Sequence, residues 1–465
     1  MKVTQVALRP TEASNAAGRP ALTPELLAAS GARYSRNNEG LEAILARIDP
    51  ANLDKSVDSI FRMIDYGHAS IADMAPVALF VDGVSLYLAY YLWTLAPTAG
   101  GQESSTRYIK LDASGLVAPE VLGIPVEEQA DWRQAMDAAF GAYRAAVAFW
   151  ESIAKADPDV ARIPRSLSDD PSEKAKRAVA RMRRNYAFDR ARYFLPVAAA
   201  TNVMMVQSAR AWVTVCQHLL SHPLPEARAL GECVAAELAL ATPRLLKHAT
   251  TKPSFEQGIR REWDAARALC GRLPLAEGEH APAAFLDVIA PPGGGLTDAQ
   301  AAADLELHDN RYAYFGETLR RTAVCFGWEA VAFAEIRDLN RHRTGTKYCP
   351  PVPVGFYHAT DAVPAGHPGA GEYAALGAVG TAANRAARAR LEAGRPDAVY
   401  HLLLGAQLPF EHTTTADKFL YEAELRTGTG AHYRYARHLR DALALWYDRY
   451  PATRGLVQEG SAEPE

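Results

Sequence analysis

Gln102-Glu103-Ser104-Ser105-Thr106-Arg107-Tyr108 follows the apolar run 84–93, and Arg341-His342-Arg343-Thr344-Gly345 follows a second apolar run, 331–339. Each is an arginine-bearing polar segment placed after a stretch whose apolar spacing predicts a buried helix. The first is dense in hydroxyls and ends in a guanidinium. Backbone N–H groups, hydroxyls and a planar fork can together satisfy several oxygens of a phosphate monoester. Composition alone equally allows a polar turn in which serine and threonine bond their own backbone. The second segment sets two arginines around a histidine. A solvated basic helix end is the ordinary reason for such a cluster. Adjacent cationic groups nevertheless repel one another unless an anion is near, and a dinucleotide pyrophosphate or the electron-rich edge of a reduced flavin would serve.

The bulk numbers set the frame around these segments. At 465 residues the chain has length for two to four average domains, and 49% hydrophobic with 22% charged residues is ordinary for a soluble globular protein. A net charge of −4 gives no general attraction to polyanions, so nucleic acid is not an expected partner and any phosphate recognition must come from locally placed arginines. Cys216, Cys233, Cys270, Cys325 and Cys349 form no C-x-x-C pair and no metal-ligand spacing with histidine, which reads as reduced thiols in a cytoplasmic protein without a metal. The N-terminal Met1-Lys2-Val3-Thr4-Gln5 lacks the apolar core of a signal peptide. No stretch approaches the ~20 apolar residues that span a bilayer, so no membrane partner is expected.

Along the chain the pattern predicts mostly helix. Helices are expected over 54–65, 84–93, 127–156, 191–220 with a break near Pro196, 226–246, 328–340, 381–393, 414–426 and 432–447. Short strands are expected at 76–81, punctuated by Gly83, and at 285–289. Residues 253–283 shift in composition and read as a connector. Segments 84–108 and 331–357 line up as helix then functional loop, and 192–222 lines up loosely with 399–432. The expected organisation is therefore a first repeat over 1–252, the connector 253–283 and a second repeat over 284–465.

Joined with the triplet first, the two quoted segments resemble the signature of the flavin-dependent thymidylate synthases: Arg-His-Arg, then a serine-rich loop ending in Arg-Tyr. In that family both parts follow one helix; here each apolar run carries one half. Further stretches carry the same resemblance. Gly67-His68-Ala69-Ser70 is similar to the family's Gly-His-x-Ser/Thr turn, whose histidine lies beside the flavin. Ala191-Arg192-Tyr193-Phe194-Leu195-Pro196 is similar to its Ala-Arg-x-x-Leu-Pro stretch, whose arginine reaches the nucleotide. Ser208-Ala209-Arg210 resembles a flavin-contacting Asn-Ala-Arg segment, with serine in place of asparagine. The family's Leu-Arg pair, whose arginine binds the pyrimidine, is present as Leu425-Arg426 and absent from His218-Leu219-Leu220. Conversely, 399–404 lacks the phosphate-facing arginine that 191–196 keeps. The losses are complementary.

The resemblance implies an α/β (α+β) fold, helix-rich, of two tandem thymidylate-synthase-complementing-type units with small sheets flanked by long helices. It places Arg107 and Arg341 on equivalent loops of those units. It implies methylation of the uracil C5 of dUMP, with methylene-tetrahydrofolate as carbon donor, FAD as bound hydride carrier and NADPH as reductant. Arg426 would be catalytic, stabilising charge on the pyrimidine carbonyl. Gln102, Glu103, Ser105, Arg107 and Arg192 would bind the nucleotide, and His68, Arg210, Arg341, His342, Arg343 and His432 the cofactor. Because the family builds its pockets between subunits, a fused pair implies a homodimer, a pseudo-tetramer of repeats. Two alternatives stand beside this reading: C5 modification of another pyrimidine nucleotide, and a non-catalytic nucleotide- or flavin-binding homologue.

Overall fold

Residues 200–208 show why the sheet forms where it does. Thr201, Val203, Met205 and Gln207 alternate inward along an extended segment rich in β-formers, and both of its edges are paired. The computed structural model describes residues 1–35, 40–48, 52, 57–58, 69–109, 111–289 and 294–460. The expected helix over 54–65 lies almost wholly outside them.

The chain divides into two compact units. The first comprises Met1–Ser104, Leu116–Pro125 and Ala199–Asp264. Its antiparallel sheet holds β1 (Lys2–Val6), β2 (Pro76–Ser85), β3 (Gly100–Glu103) and β4 (Ala200–Ser208) in the order β1-β2-β4-β3. Helix Leu86–Leu95 leaves the end of β2, and helices Ala209–Leu220 and Pro225–Ala241 follow β4. Gly83 does not end β2. It adopts φ +73° at a bulge between Asp82 and Val84, and the strand continues to Ser85. Ser85 then caps the helix, its Oγ accepting the Leu88 N–H at 3.0 Å.

The second unit comprises Ser105–Gly115, Val126–Ala198 and Ala265–Glu465. Its sheet holds β5 (Ala284–Ile289), β6 (Ala323–Ala332), β7 (Thr346–Tyr348), β8 (Gly355–Phe356) and β9 (Ala406–Thr415). The order is β5-β6-β9-β7, with β8 also on β9. Helix Phe333–Leu339 follows β6, helix Ala416–Thr427 follows β9, and Tyr433–Arg449 is the last long helix. Each unit thus reads strand, strand, helix, short edge strand, later central strand, helix, helix. The repeat boundaries drawn along the sequence follow chain order, whereas compactness assigns the long helices Gln129–Ala156 and Glu173–Ala191 to the second unit.

Three expectations need correction. The long helix over 191–220 is a short 3-10 turn at Arg192–Phe194, then β4, then helix only from Ala209. Its alanine content suggested helix, but sheet pairing on both edges overrides propensity. The helix over 328–340 is the end of β6 followed by a helix of 7 residues. Residues 406–415, where no strand was expected, form β9, although Pro409 is a residue that central strands normally exclude. In the fold Pro409 falls between Leu408 and Phe410, where the ladder with β6 shifts register between Trp328 and Val331, so no regular ladder bond is lost.

Candidate functional site

The turn after β3 brings Arg107 against the last turns of helix Glu173–Ala191. Arg107 Nε donates to Asp189 Oδ1 at 2.7 Å and Nη2 to Oδ2 at 2.9 Å, while Nη1 donates to the Gly430 carbonyl at 3.0 Å. Ser105 Oγ accepts the Arg107 N–H at 3.2 Å, so this hydroxyl shapes the turn that presents the guanidinium. Burial opposes charge on Asp189, yet Arg107 holds its carboxyl below the ordinary range, with Arg192 assisting.

Arg192 is only 1% exposed. Its Nη1 donates to Asp338 Oδ2 at 3.1 Å and its Nη2 lies 3.5 Å from Glu335 Oε1, which also accepts from the Tyr193 hydroxyl at 2.8 Å. Burial pushes the Glu335 carboxyl up to about 7 despite the pull of Arg192 and Arg434. The segment carrying Arg192 is laced to the entry of β9: Leu404 N–H donates to the Leu195 carbonyl and Gly405 N–H to that of Tyr193, at 2.8 and 2.7 Å.

Asp338 is the hub, and the sequence reading missed it. Burial disfavours its charge, but Arg192, Arg341, Arg107 and Arg426 together hold it far below the usual carboxylate range. Arg341 Nη2 lies 3.6 Å from its carboxylate, and Arg426 Nη2 donates to its backbone carbonyl at 3.1 Å. Arg192 and Arg341 pair with the carboxylate, Arg426 bonds the carbonyl of the same residue, and Arg107 adds only its charge, all within one compact unit. The available signal was spacing: Asp338 stands three residues before Arg341, which lies just past the helix end within reach of its carboxylate.

Arg426 Nε also donates to His342 Nε2 at 2.7 Å, which fixes His342 as a neutral ring with its proton on Nδ1. Burial pushes this imidazole down to about 3, and Arg426 adds to the shift. Lys347 Nζ donates to the His342 carbonyl. Arg343, beside them, is lowered by burial and by Arg341. Buried Glu422 lies 3.0 Å from His412 Nδ1; burial works against its charge, but His342, His412 and Lys347 draw the carboxyl down to about 2. Arg107, Arg192, Arg341, Arg343, Arg426 and Lys347 thus outnumber the carboxylates held ionised, Asp189, Asp338 and Glu422. The surplus is positive and suits an anionic ligand.

Other expected residues are placed differently. His432 caps the last helix: Nδ1 accepts the Arg434 N–H at 3.2 Å, Nε2 meets the Asp189 carbonyl at 3.0 Å, and the ring is buried. Both nitrogens are thereby occupied in this structure. Gln102 and Glu103 lie in β3 of the first unit, Glu103 accepting from Trp93 Nε1 at 3.2 Å. Arg210, also in that unit, is half exposed and pairs with Asp73 at 2.9 Å. His68 lies outside the described residues. Arg107 and Arg341 are not on equivalent loops, because Arg107 follows its edge strand β3 whereas the triplet precedes β7. The motif is divided at the edge strand, each repeat keeping the part on one side of it.

Residues 21–244 match the family model of the thymidylate synthase complementing proteins. Over those residues the chain is similar to that family. The matched region holds Arg107, Arg192 and Arg210 but neither the triplet nor Arg426. A full-length relative, UPF0159 protein Ta1429 of Thermoplasma acidophilum, is 23% identical and aligns over 92% of this chain and 93% of its own length. Among solved structures, the UMP/dUMP methylase PolB of Streptomyces cacaoi bound with 5-Br dUMP is 16% identical, covering 53% of this chain and 93% of its own, with a TM-score of 0.31. The same enzyme bound with 5-Br UMP is 17% identical over 50% of this chain, with a TM-score of 0.28. Among the described residues no helix is long and apolar enough to cross a membrane.

Proposed function

We propose that the chain is a flavin-dependent thymidylate synthase-type methyltransferase converting dUMP to dTMP, with methylene-tetrahydrofolate and NADPH as co-substrates. One observation carries the reading: Arg192 and Arg341 pair with the Asp338 carboxylate, and Arg426 donates to the carbonyl of the same residue. In their assigned roles, Arg107 serves the phosphate end and Arg426 the pyrimidine carbonyl, where a guanidinium offsets developing negative charge. His342, neutral and anchored by Arg426, positions that guanidinium. The donor set at the triplet fits a flavin dinucleotide, because Arg341 and Arg343 bring cationic forks toward a diphosphate and Arg341 keeps 39% of its side-chain surface exposed. A bound flavin would supply the hydride, so no protein nucleophile is required. Buried Cys216, pushed up to about 12 by burial, is unsuited to that role in any case.

The test is methyl transfer by the purified protein, supplied with FAD, NADPH and methylene-tetrahydrofolate and offered dUMP and UMP separately. Formation of dTMP supports the reading, turnover of UMP alone redirects it to another pyrimidine nucleotide, and a protein that binds neither flavin nor nucleotide contradicts it. Within this reading Arg107→Ala is expected to weaken dUMP binding tenfold or more, about the worth of one charge-assisted contact, because Asp189 is left facing the cleft. Flavin content should be unchanged. Equal loss of both ligands by titration would show that the turn serves folding.

A further inference from the structure

The helix that carries Arg426 is held from outside by the last described stretch of the chain. Helix Ala416–Thr427 hands over to Gly428 in extended backbone, φ −75° and ψ −178°, rather than in the left-handed turn that commonly seals a helix end. Support for that end comes from side chains and from a distant strand of backbone. Thr427 Oγ1 donates to the Ala423 carbonyl at 2.8 Å and accepts the Gly460 N–H at 3.0 Å. Buried Glu424 accepts the Gln458 N–H at 2.8 Å and His308 Nε2–H at 2.9 Å. Gln458 Nε2 in turn donates to the His308 carbonyl at 2.9 Å, which closes a ring of bonds among these three residues. Arg440 fastens the far end, Nε donating to Glu459 Oε1 at 3.2 Å and Nη2 to the Gly460 carbonyl at 2.9 Å.

The seat of Gly460 admits no side chain. A Cβ there would come within 2.5 Å of Gly428 Cα and 2.7 Å of the Thr427 carbonyl oxygen, and both are backbone atoms that cannot swing aside. The contact falls between two groups already placed in the site. Arg426, one residue before Thr427, donates to His342 and to the Asp338 carbonyl. Gly430, two residues after Gly428, offers its carbonyl to Arg107. All of these residues belong to the second unit.

We propose that residues 458–460 are a positioning strap, which fixes the direction of Arg426 by clamping the helix on either side of it at Glu424 and Thr427. The ligand end of this statement rests on the function proposed above; the clamp does not. The test combines peptide-level hydrogen exchange over 423–431 with calorimetric titration of dUMP and deoxyuridine, on the full-length native chain, Gly460→Ala, Thr427→Val and Thr427→Ser. Gly460→Ala and Thr427→Val are expected to speed exchange over 423–431. Both should weaken dUMP and deoxyuridine by the same factor, about tenfold, because the base end is disturbed while Asp189 still holds Arg107. Thr427→Ser keeps the hydroxyl and should behave as the native chain. Unchanged exchange in Gly460→Ala would overturn the clamp. Faster exchange or a lower Tm with native affinity for both ligands would reduce the strap to ordinary packing and overturn its positioning role, as would a Thr427→Ser variant no better than Thr427→Val. A native protein that binds neither ligand, yet loses protection over 423–431 in Gly460→Ala, would uphold the clamp and remove the nucleotide reading.

Discussion

Arg192→Ala is expected to lower the unfolding free energy by about 3–5 kcal/mol, the range for removing one partner of a buried ion pair. The substitution leaves Asp338 and Glu335, with side-chain exposures of 8% and 0%, without the cation they share. Tyr193 still donates to Glu335, and Arg341, 3.6 Å from Asp338, is left as an ion-pair partner of that carboxylate without the closer fork of Arg192. Arg192→Lys should recover little, since a point charge cannot reach both carboxylates with the geometry of a guanidinium. Adding Glu335→Gln to Arg192→Ala should recover part of the loss, because one uncompensated charge is then removed. Urea unfolding reads all three variants, and a loss below about 1 kcal/mol for Arg192→Ala, the level of a surface pair, would show that the cluster is not holding the unit together.

Acidification from pH 7.5 to 5 is expected to destabilise the protein strongly. His342 and His401 are pushed down to about 3, chiefly by burial, and His432 and His438 are driven well below their ordinary value for the same reason. Unfolded, each takes up a proton near pH 6.5; folded, each stays neutral. Their contribution is therefore fully present above about pH 6.5 and is lost as pH falls toward 3. At pH 5 His342 and His401 each cost about 2 kcal/mol relative to neutral pH, and His432 and His438 act in the same direction. Glu335 runs the other way: raised to about 7, its contribution is present below the ordinary carboxylate range and is lost as pH rises through 7. Glu335, with Glu262, Glu279 and Asp441 also raised by burial, offsets only part of the effect of the buried histidines, so the net slope is acid-labile. Glu335→Gln should steepen it by removing its share of that offset. Urea midpoints at pH 7.5, 6 and 5 check this, and a flat or rising series would contradict it.

The sequence was most legible where chemistry leaves a local trace. The motif arginines could be named because a serine loop and an Arg-His-Arg triplet are dense, short and unlike ordinary helix ends. Their meeting place could not, since Asp338 is an unremarkable acid within an apolar helix until Arg192 arrives from elsewhere in the chain. Strand β4 was hidden because its alanine-rich surroundings look helical, and β9 carries a proline that the fold places at a register shift. His432 looked like a ligand because it follows Arg426 across a glycine-rich turn. That same position at the start of the last helix makes it a cap.

The central claim is that both motif halves serve one site inside one compact unit. Arg107 donates to the carbonyl of Gly430 just beyond Arg426, and both arginines bear on Asp338. The most direct measurement co-expresses Arg107→Ala and Arg426→Ala chains under different tags, purifies the mixed assembly and titrates it with dUMP beside the native protein and each single variant. A site within one chain predicts that the mixed assembly binds no better than the single variants, since every chain carries one broken end. Recovery of native-affinity sites in the mixed assembly would place the two arginines in different chains and contradict the account.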